Sequence, residues 1–168
     1  AATQFNTGAA NGSDGGFDTL VVDGGNYASV NFIATGPTSG SIELDANVIR
    51  YAGLEPLILQ AGNVDDLTIF ATAVADSTVL RDNGNAADGT MSFTSDTTPG
   101  TFESIDFVVP NRSLTINLGT GLDTITVESL DDAFNAVVGG KNATDLIIKD
   151  PEDITITSDI IVPGNLQI

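Results

Sequence analysis

The chain has 168 residues, of which 23 are acidic and 5 basic, and it contains no Cys and no His. A net charge of −18 repels phosphate backbones and anionic lipid, so we expect neither nucleic acid nor a membrane surface as a partner. The missing Cys and His exclude disulfides, thiolate metal sites, cysteine nucleophiles and the most common general base.

The amino-acid types predict an all-β protein. The acids are 18 Asp against 5 Glu, and Asp favours turns and caps whereas Glu favours helix interiors. The chain also has 15 Ile, 13 Val and 20 Thr, the β-branched residues that fit a pleated, half-buried surface. No stretch is long and apolar enough to predict a membrane span. A composition without Cys and rich in Asp, Gly and Thr suits a secreted or surface-displayed prokaryotic protein, and a cysteine-free cytosolic protein stays as the alternative.

The first residues differ from the rest of the chain. Residues 1–16 are rich in Gly, Asn, Ala and Ser and offer little apolar surface for burial, which predicts a flexible N-terminal arm. From Phe17 onward, short apolar runs follow one another up to the last residue. We therefore expect a single β domain over residues 17–168.

Apolar and polar residues alternate within these runs, and Gly, Asn, Asp or Pro bounds them, which predicts strands. The alternating aliphatic or aromatic pairs are Leu20 and Val22, Val30 and Phe32, Ile42 and Leu44, Leu67 and Ile69, Ile105 and Phe107, Leu114 and Ile116, Ile125 and Val127, Leu146 and Ile148, Ile154 and Ile156, and Ile160 and Val162. The run after Pro56, "LIL", is interpreted as an edge strand.

One segment departs from the strand pattern. In "SLDDAFNAVVGG", residues 129–140, Ser129 is a candidate N-cap, Asp131 and Asp132 stand in the first turn, and the glycine pair at the end is a stop signal. We expect one or two helical turns there.

The spacing of the predicted strands favours a parallel β-solenoid. Several strand starts lie about 20–25 residues apart, the length of one coil. Few turns carry the Asn-Gly or Asp-Gly dipeptide of tight hairpins, and the best candidates are Asp23-Gly24, Asn83-Gly84 and Asp88-Gly89. The same spacing also fits two strands of an antiparallel β-sandwich, which stays as the alternative.

Two Gly-x-Asp-Thr phrases precede predicted strands. "LGTGLDTIT" places Gly119, Gly121 and Asp123 as in a calcium-binding nonapeptide, and "SDGGFDTLV" repeats the pattern around Asp18, with Asp14 before it. Calcium would be held by carboxylates and carbonyls of consecutive coils, so Asp14, Asp18 and Asp123 are candidate metal ligands. The alternative is a plain turn in which the Asp side chain binds nearby amides.

Three segments carry a resemblance to a known class of proteins. "GFDTLVVDGG", "RYAGLEPLILQ" and "SLTINLGTGLDTITVESL" resemble the Asp/Gly/Thr-rich β repeat modules of giant bacterial adhesin or haemagglutinin-like surface proteins. The resemblance covers mainly residues 17–60 and 111–168. It implies secretion, rigidity modulated by calcium, and a structural or adhesive role. The calcium repeats of this chain are degenerate, which departs from the family pattern.

The side chains do not form a recognisable catalytic set. The adjacent pairs Asp65-Asp66 and Asp131-Asp132 would point to opposite faces of a strand, so neither is a ready acid and base couple. We therefore expect no enzymatic activity. The alternative function is a carbohydrate-binding or carbohydrate-cleaving surface domain, although 2 Tyr and no Trp supply a poor aromatic platform.

The end of the sequence predicts an interaction surface. Aliphatic residues continue through "DITITSDIIVPGNLQI" to the last position without a polar tail, and we expect an open strand edge there. The predicted assembly residues are Ile160, Val162, Leu166 and Ile168. We expect them to pair with another copy or an adjacent module, head to tail, by strand addition or coil stacking. The predicted function is a structural subunit of an extracellular bacterial fibre, sheath or adhesin.

Overall fold

The computed structural model describes residues 18–54, 56–85, 87–134 and 144–168. In these ranges it contains fourteen β-strands, one 3₁₀ turn and no α-helix, so the all-β prediction is confirmed. The predicted arm, residues 1–16, lies outside the described residues.

The described strands, numbered in chain order, form two mixed sheets of seven strands each. The first sheet runs, from one edge to the other, β1 (Leu20–Asp23), β5 (Leu57–Gln60), β9 (Ile105–Val108), β8 (Thr90–Ser95), β7 (Ser77–Asp82), β11 (Thr124–Val127) and β13 (Asp153–Ile156). The second sheet runs β14 (Leu166–Gln167), β12 (Asp145–Lys149), β10 (Ser113–Asn117), β6 (Asn63–Phe70), β2 (Asn26–Gly36), β3 (Ser39–Leu44) and β4 (Asn47–Ala52).

Most neighbouring strands pair in parallel although they are distant in the sequence. β2, β6, β10, β12 and β14 form a continuous parallel series, while the chain visits the other sheet between them. The antiparallel pairings are those of β3 with β2 and β4, and of β8 with β7 and β9. Each sheet therefore contains a parallel series interrupted or extended by hairpin strands.

The core consists of in-register rows of aliphatic side chains. In the second sheet Leu67, Leu114 and Leu146 pair side by side, and each is 0% exposed. Alternate residues of these strands point inward, so burial of one row excludes water from the space between the sheets. Side chains from both sheets belong to one buried cluster.

Two strand predictions were wrong in detail. The run after Pro56 is not an edge strand, because β5 lies between β1 and β9. Pro56 precedes the strand, where a missing N–H is tolerated, and its carbonyl accepts the Leu20 amide at 3.2 Å. Residues 160–162 form no strand, and the last strand is β14 instead.

The three predicted turns have two different roles. Asn83-Gly84 and Asp88-Gly89 both lie in the seven-residue connection of the hairpin between β7 and β8, so they belong to a hairpin but neither forms a tight turn by itself. Asp23-Gly24 forms no hairpin, because β1 and β2 belong to different sheets. Gly24 and Gly25 both have positive φ, at 73° and 84°, where the chain crosses from one sheet to the other.

The predicted helical segment contains a 3₁₀ turn at Asp132–Phe134. Its cap is Asp131 and not Ser129, since Asp131 Oδ1 accepts the Ala133 amide at 2.6 Å. The Ser129 hydroxyl accepts the amide of Asp82 at 3.0 Å and so ties this segment to β7. Residues 135–143 lie outside the described ranges.

Candidate functional site

An acidic residue precedes three adjacent strands of the first sheet at the same register position. Thr78, Ile125 and Ile154 pair side by side in β7, β11 and β13. Asp76, Asp123 and Glu152 each stand two residues before these positions. We call these three residues the acid ladder.

Hydrogen bonds connect the members of the acid ladder. The Asp76 amide donates to Asp123 Oδ1 at 2.8 Å, and the Asp123 amide donates to Glu152 Oε2. Asp76 in turn accepts the amide and the hydroxyl of Thr72, both at 2.9 Å, through Oδ2. Each carboxylate therefore binds the backbone of its own loop or of the preceding strand, which holds the three strand entrances together.

The second oxygen of Asp123 has no such bond. Asp123 is 0% exposed, and its Oδ2 has no hydrogen-bond partner among the described residues. Burial raises the pKa of this carboxyl, the amide of Asp76 acts in the opposite direction, and repulsion by the carboxylates of Asp76 and Glu152 raises it further. Ionisation of Asp123 is therefore less favourable in the folded protein than in the unfolded chain.

The glycine of the Gly-x-Asp phrase allows the two loops to approach each other. A Cβ on Gly121 would lie 2.7 Å from Asp123 Oδ1 and 2.8 Å from the carbonyl oxygen of Val74, and the second of these atoms belongs to the backbone. Only a residue without a side chain leaves this contact undisturbed. The phrase thus fixes a turn and places Asp123 against the neighbouring loop.

The predicted metal ligands do not come together in the described structure. Asp18 precedes β1 at one edge of the first sheet, whereas Asp123 precedes β11 near the other edge, and Asp14 lies outside the described residues. Within the described ranges, no three acidic side chains are gathered into a group that could hold a metal ion. Asp76 and Glu152, which the motif did not indicate, are the neighbours that Asp123 has.

The adjacent acidic pairs have structural partners. Asp66 accepts hydrogen bonds from the Arg112 guanidinium and the Ser113 hydroxyl, which lower its pKa, although its partial burial acts in the opposite direction. Asp131 binds the amides of Ala133 and Gly89. These contacts join neighbouring strands and loops.

The C-terminal end of the described chain exposes aliphatic side chains. Leu166 is 45% exposed and Ile168 is 72% exposed, whereas Ile160 and Val162 are partly buried against the core. Of the four predicted assembly residues, the structure thus leaves Leu166 and Ile168 most accessible. Ile156 on β13 is 46% exposed and adds a residue that the prediction did not include. An open surface pocket of about 310 Å³ lies beside Ile168 and Lys149.

An open groove of about 330 Å³ lies at the turn between β2 and β3 and the loop that follows β8. Hydroxyl side chains and Glu103 line it, and the ring of Phe102 lies beneath its surface at 4% exposure. For a carbohydrate-binding surface domain, this groove would be the site.

The chain matches no protein-family model, no curated protein and no solved structure at a significant level. In the described ranges, no helix has the length and apolar character needed to span a membrane.

Proposed function

We propose that this chain is a structural module of an extracellular bacterial fibre, sheath or adhesin, built as a parallel β-solenoid. The support for the solenoid is the parallel series β2, β6, β10, β12 and β14, between whose strands the chain passes through the other sheet. An antiparallel sandwich would pair strands that follow each other, as only the hairpin strands do here.

The observation that carries the assembly proposal is the way in which the core rows end. Leu146, at 0% exposure, pairs with Leu166 at 45% exposure. Val127, at 1% exposure, pairs with Ile156 at 46% exposure. Positions that are covered inside each sheet are thus open in its last strand. Another coil, from a second copy or an adjacent module, would cover them by the same pairing.

Calcium is part of this proposal. A net charge of −18 opposes the approach of two such modules, and a divalent cation reduces that repulsion. Hard carboxylate oxygens are the ligands that calcium prefers, and the unpartnered Asp123 Oδ2 is one such oxygen.

Sedimentation velocity over a concentration series, in chelator and then in millimolar calcium, tests the proposal. We expect species larger than the monomer that increase with concentration. A double substitution, Ile156→Lys with Leu166→Lys, should weaken association about tenfold or more, because an ammonium group would be buried in the contact. The control is Val74→Lys, an aliphatic residue 58% exposed in the loop before β7, a strand that β11 separates from β13, and this variant should behave as the unchanged chain. A sharp monomer in both buffers would contradict the proposal.

A further inference from the structure

We infer that β13 of one copy pairs in parallel with β1 of a second copy, with Ile154 beside Leu20 and Ile156 beside Val22. The inference rests on the proposed head-to-tail assembly and names the two surfaces that meet. The partner is a second copy of this chain, and four kinds of observation support it.

The two strands are the outer strands of the same sheet and run in the same direction. β1 pairs with β5, β13 pairs with β11, and neither has a second strand neighbour among the described residues. β9, β8 and β7 reverse the strand direction twice, so the strands on both sides of this hairpin are parallel. Contact between β13 and β1 therefore continues the parallel pairing found elsewhere in the sheet.

The sequence phrase before β1 supports the choice of partner and the register. β13 already pairs with β11, which Gly121–Ile125 introduces, and Ile125 lies beside Ile154. The same Gly-x-Asp-Thr-aliphatic phrase occupies residues 16–20. If β1 pairs with the free edge of β13, then β13 lies between β11 and β1, two strands that follow the same sequence phrase. Leu20 would then occupy the position that Ile125 occupies on the other side.

The side chains of the two edges match in size, polarity and orientation. Both strands have four residues. Ile154 and Ile156 belong to the inward rows of β13, and Leu20 and Val22 belong to the inward rows of β1, since they pair with the buried Leu57 and Leu59. Outward Thr155 would meet outward Val21, which is 46% exposed. In this one register, inward side chains of β13 meet inward side chains of β1, and outward side chains meet outward ones.

The outer strands of the second sheet would meet in the same assembly. Its outer strands are β14 and β4, and the double reversal through β3 leaves them parallel. Leu166 continues the inward row of Leu146, and Ile49 continues the inward row of Ile42. Aliphatic side chains would therefore meet on this side as well. The contact also brings Glu152 near Asp18, so salt should strengthen association by screening like charges.

Engineered cysteines test the register, because the chain contains none of its own. Paired Cα atoms of neighbouring strands are about 4.8 Å apart, which lies within the range that a disulfide bridges. We expect Val21→Cys with Thr155→Cys to form, under mild oxidation, a ladder of covalent multimers on a non-reducing gel. An equimolar mixture of the two single variants should stop at the dimer.

The matched control is Val21→Cys with Asp153→Cys, which keeps the outward face but shifts the register by two residues. Its Cα atoms would lie about 8 Å apart, too far for a disulfide. If the unchanged chain self-associates while both double variants cross-link equally or not at all, the β1 and β13 register is wrong and the assembly proposal stands. If the chain also sediments as a monomer at all concentrations, both are wrong.

Discussion

Replacing Leu114 with Ala is expected to lower the free energy of unfolding by about 2–5 kcal/mol. Leu114 is 0% exposed on β10 and lies between Leu67 and Leu146 in the middle of the second sheet. Its truncation removes buried apolar contacts and leaves a cavity that paired strands on both sides cannot close. Urea unfolding followed by circular dichroism measures the loss.

The same substitution at the end of the same row is the matched control. Leu166→Ala shortens a residue that pairs with Leu146 but is 45% exposed, so we expect a loss below about 1 kcal/mol in the monomer. The two variants differ only in their place along the row. Equal losses of unfolding free energy would mean that Leu114 and Leu166 are equally buried, which would contradict the structure.

Asp123→Asn is expected to raise the free energy of unfolding at neutral pH by about 0.5–2 kcal/mol, because it removes a buried charge that Asp76 and Glu152 repel. The amide oxygen of Asn can still accept the Asp76 N–H, which Asp123 Oδ1 now binds at 2.8 Å. The neutral amide nitrogen takes the place of the unpartnered Oδ2, so the repulsion by Asp76 and Glu152 is removed. Asp123→Ala, which leaves the Asp76 amide without its acceptor, should not reproduce the gain.

The pH dependence of this difference has a definite sign. Because the pKa of Asp123 is raised from 3.8 in the folded chain, the folded state holds the proton more tightly than the unfolded state. The stabilisation that protonated Asp123 gives to the fold is fully present below the pKa of the unfolded state, and it is lost as the pH rises through the raised pKa of the folded state. The advantage of the Asn variant should therefore shrink on acidification. Comparing the unchanged chain with Asp123→Asn separates the pH dependence due to Asp123 from that due to Asp131, whose pKa is also raised by burial. An advantage that is constant with pH would contradict this account.

Calcium provides a second comparison between the same two proteins. If the Asp123 carboxylate holds calcium, millimolar calcium should raise the melting temperature of the unchanged chain and leave that of Asp123→Asn unaffected. Equal shifts in both proteins would place any bound calcium elsewhere. If calcium shifts the melting temperature of neither protein, Asp123 has only the turn role, in which its carboxylate binds nearby amides.

The sequence predicts those strands that have one buried face and one polar face. β10 and β12 alternate inward leucine and isoleucine with other residues, and their pairs were found from that period alone. β7 was missed because its adjacent apolar residues Val79 and Leu80 hide the period of two, whereas Met91 and Phe93 of β8 do alternate and could have indicated that strand. The position of β5 between two strands was missed because its partners β1 and β9 are distant along the chain.

The acid ladder shows the same limit at the level of the site. The glycine phrase indicated Asp123, but Asp76 and Glu152 follow no such phrase, and only the pairing register places them beside it. A usable signal was the position of the acid, two residues before the first inward residue of a strand. Asp18 and Glu103 stand in that position before Leu20 and Ile105 as well. Burial of the Asp123 oxygen could not be derived from the sequence, since it depends on the packing of two loops.

The two hairpins bear on how such a chain can change in length during evolution. β3 with β4, and β8 with its neighbour β7, each add an even number of strands to one sheet. After an even addition the backbone points the same way as before, so every later strand keeps its partner and its inward face. A single added strand would invert the polarity of all that follows. Insertions and deletions in this architecture are therefore tolerated in units of a whole hairpin, which changes the sequence period without changing the fold.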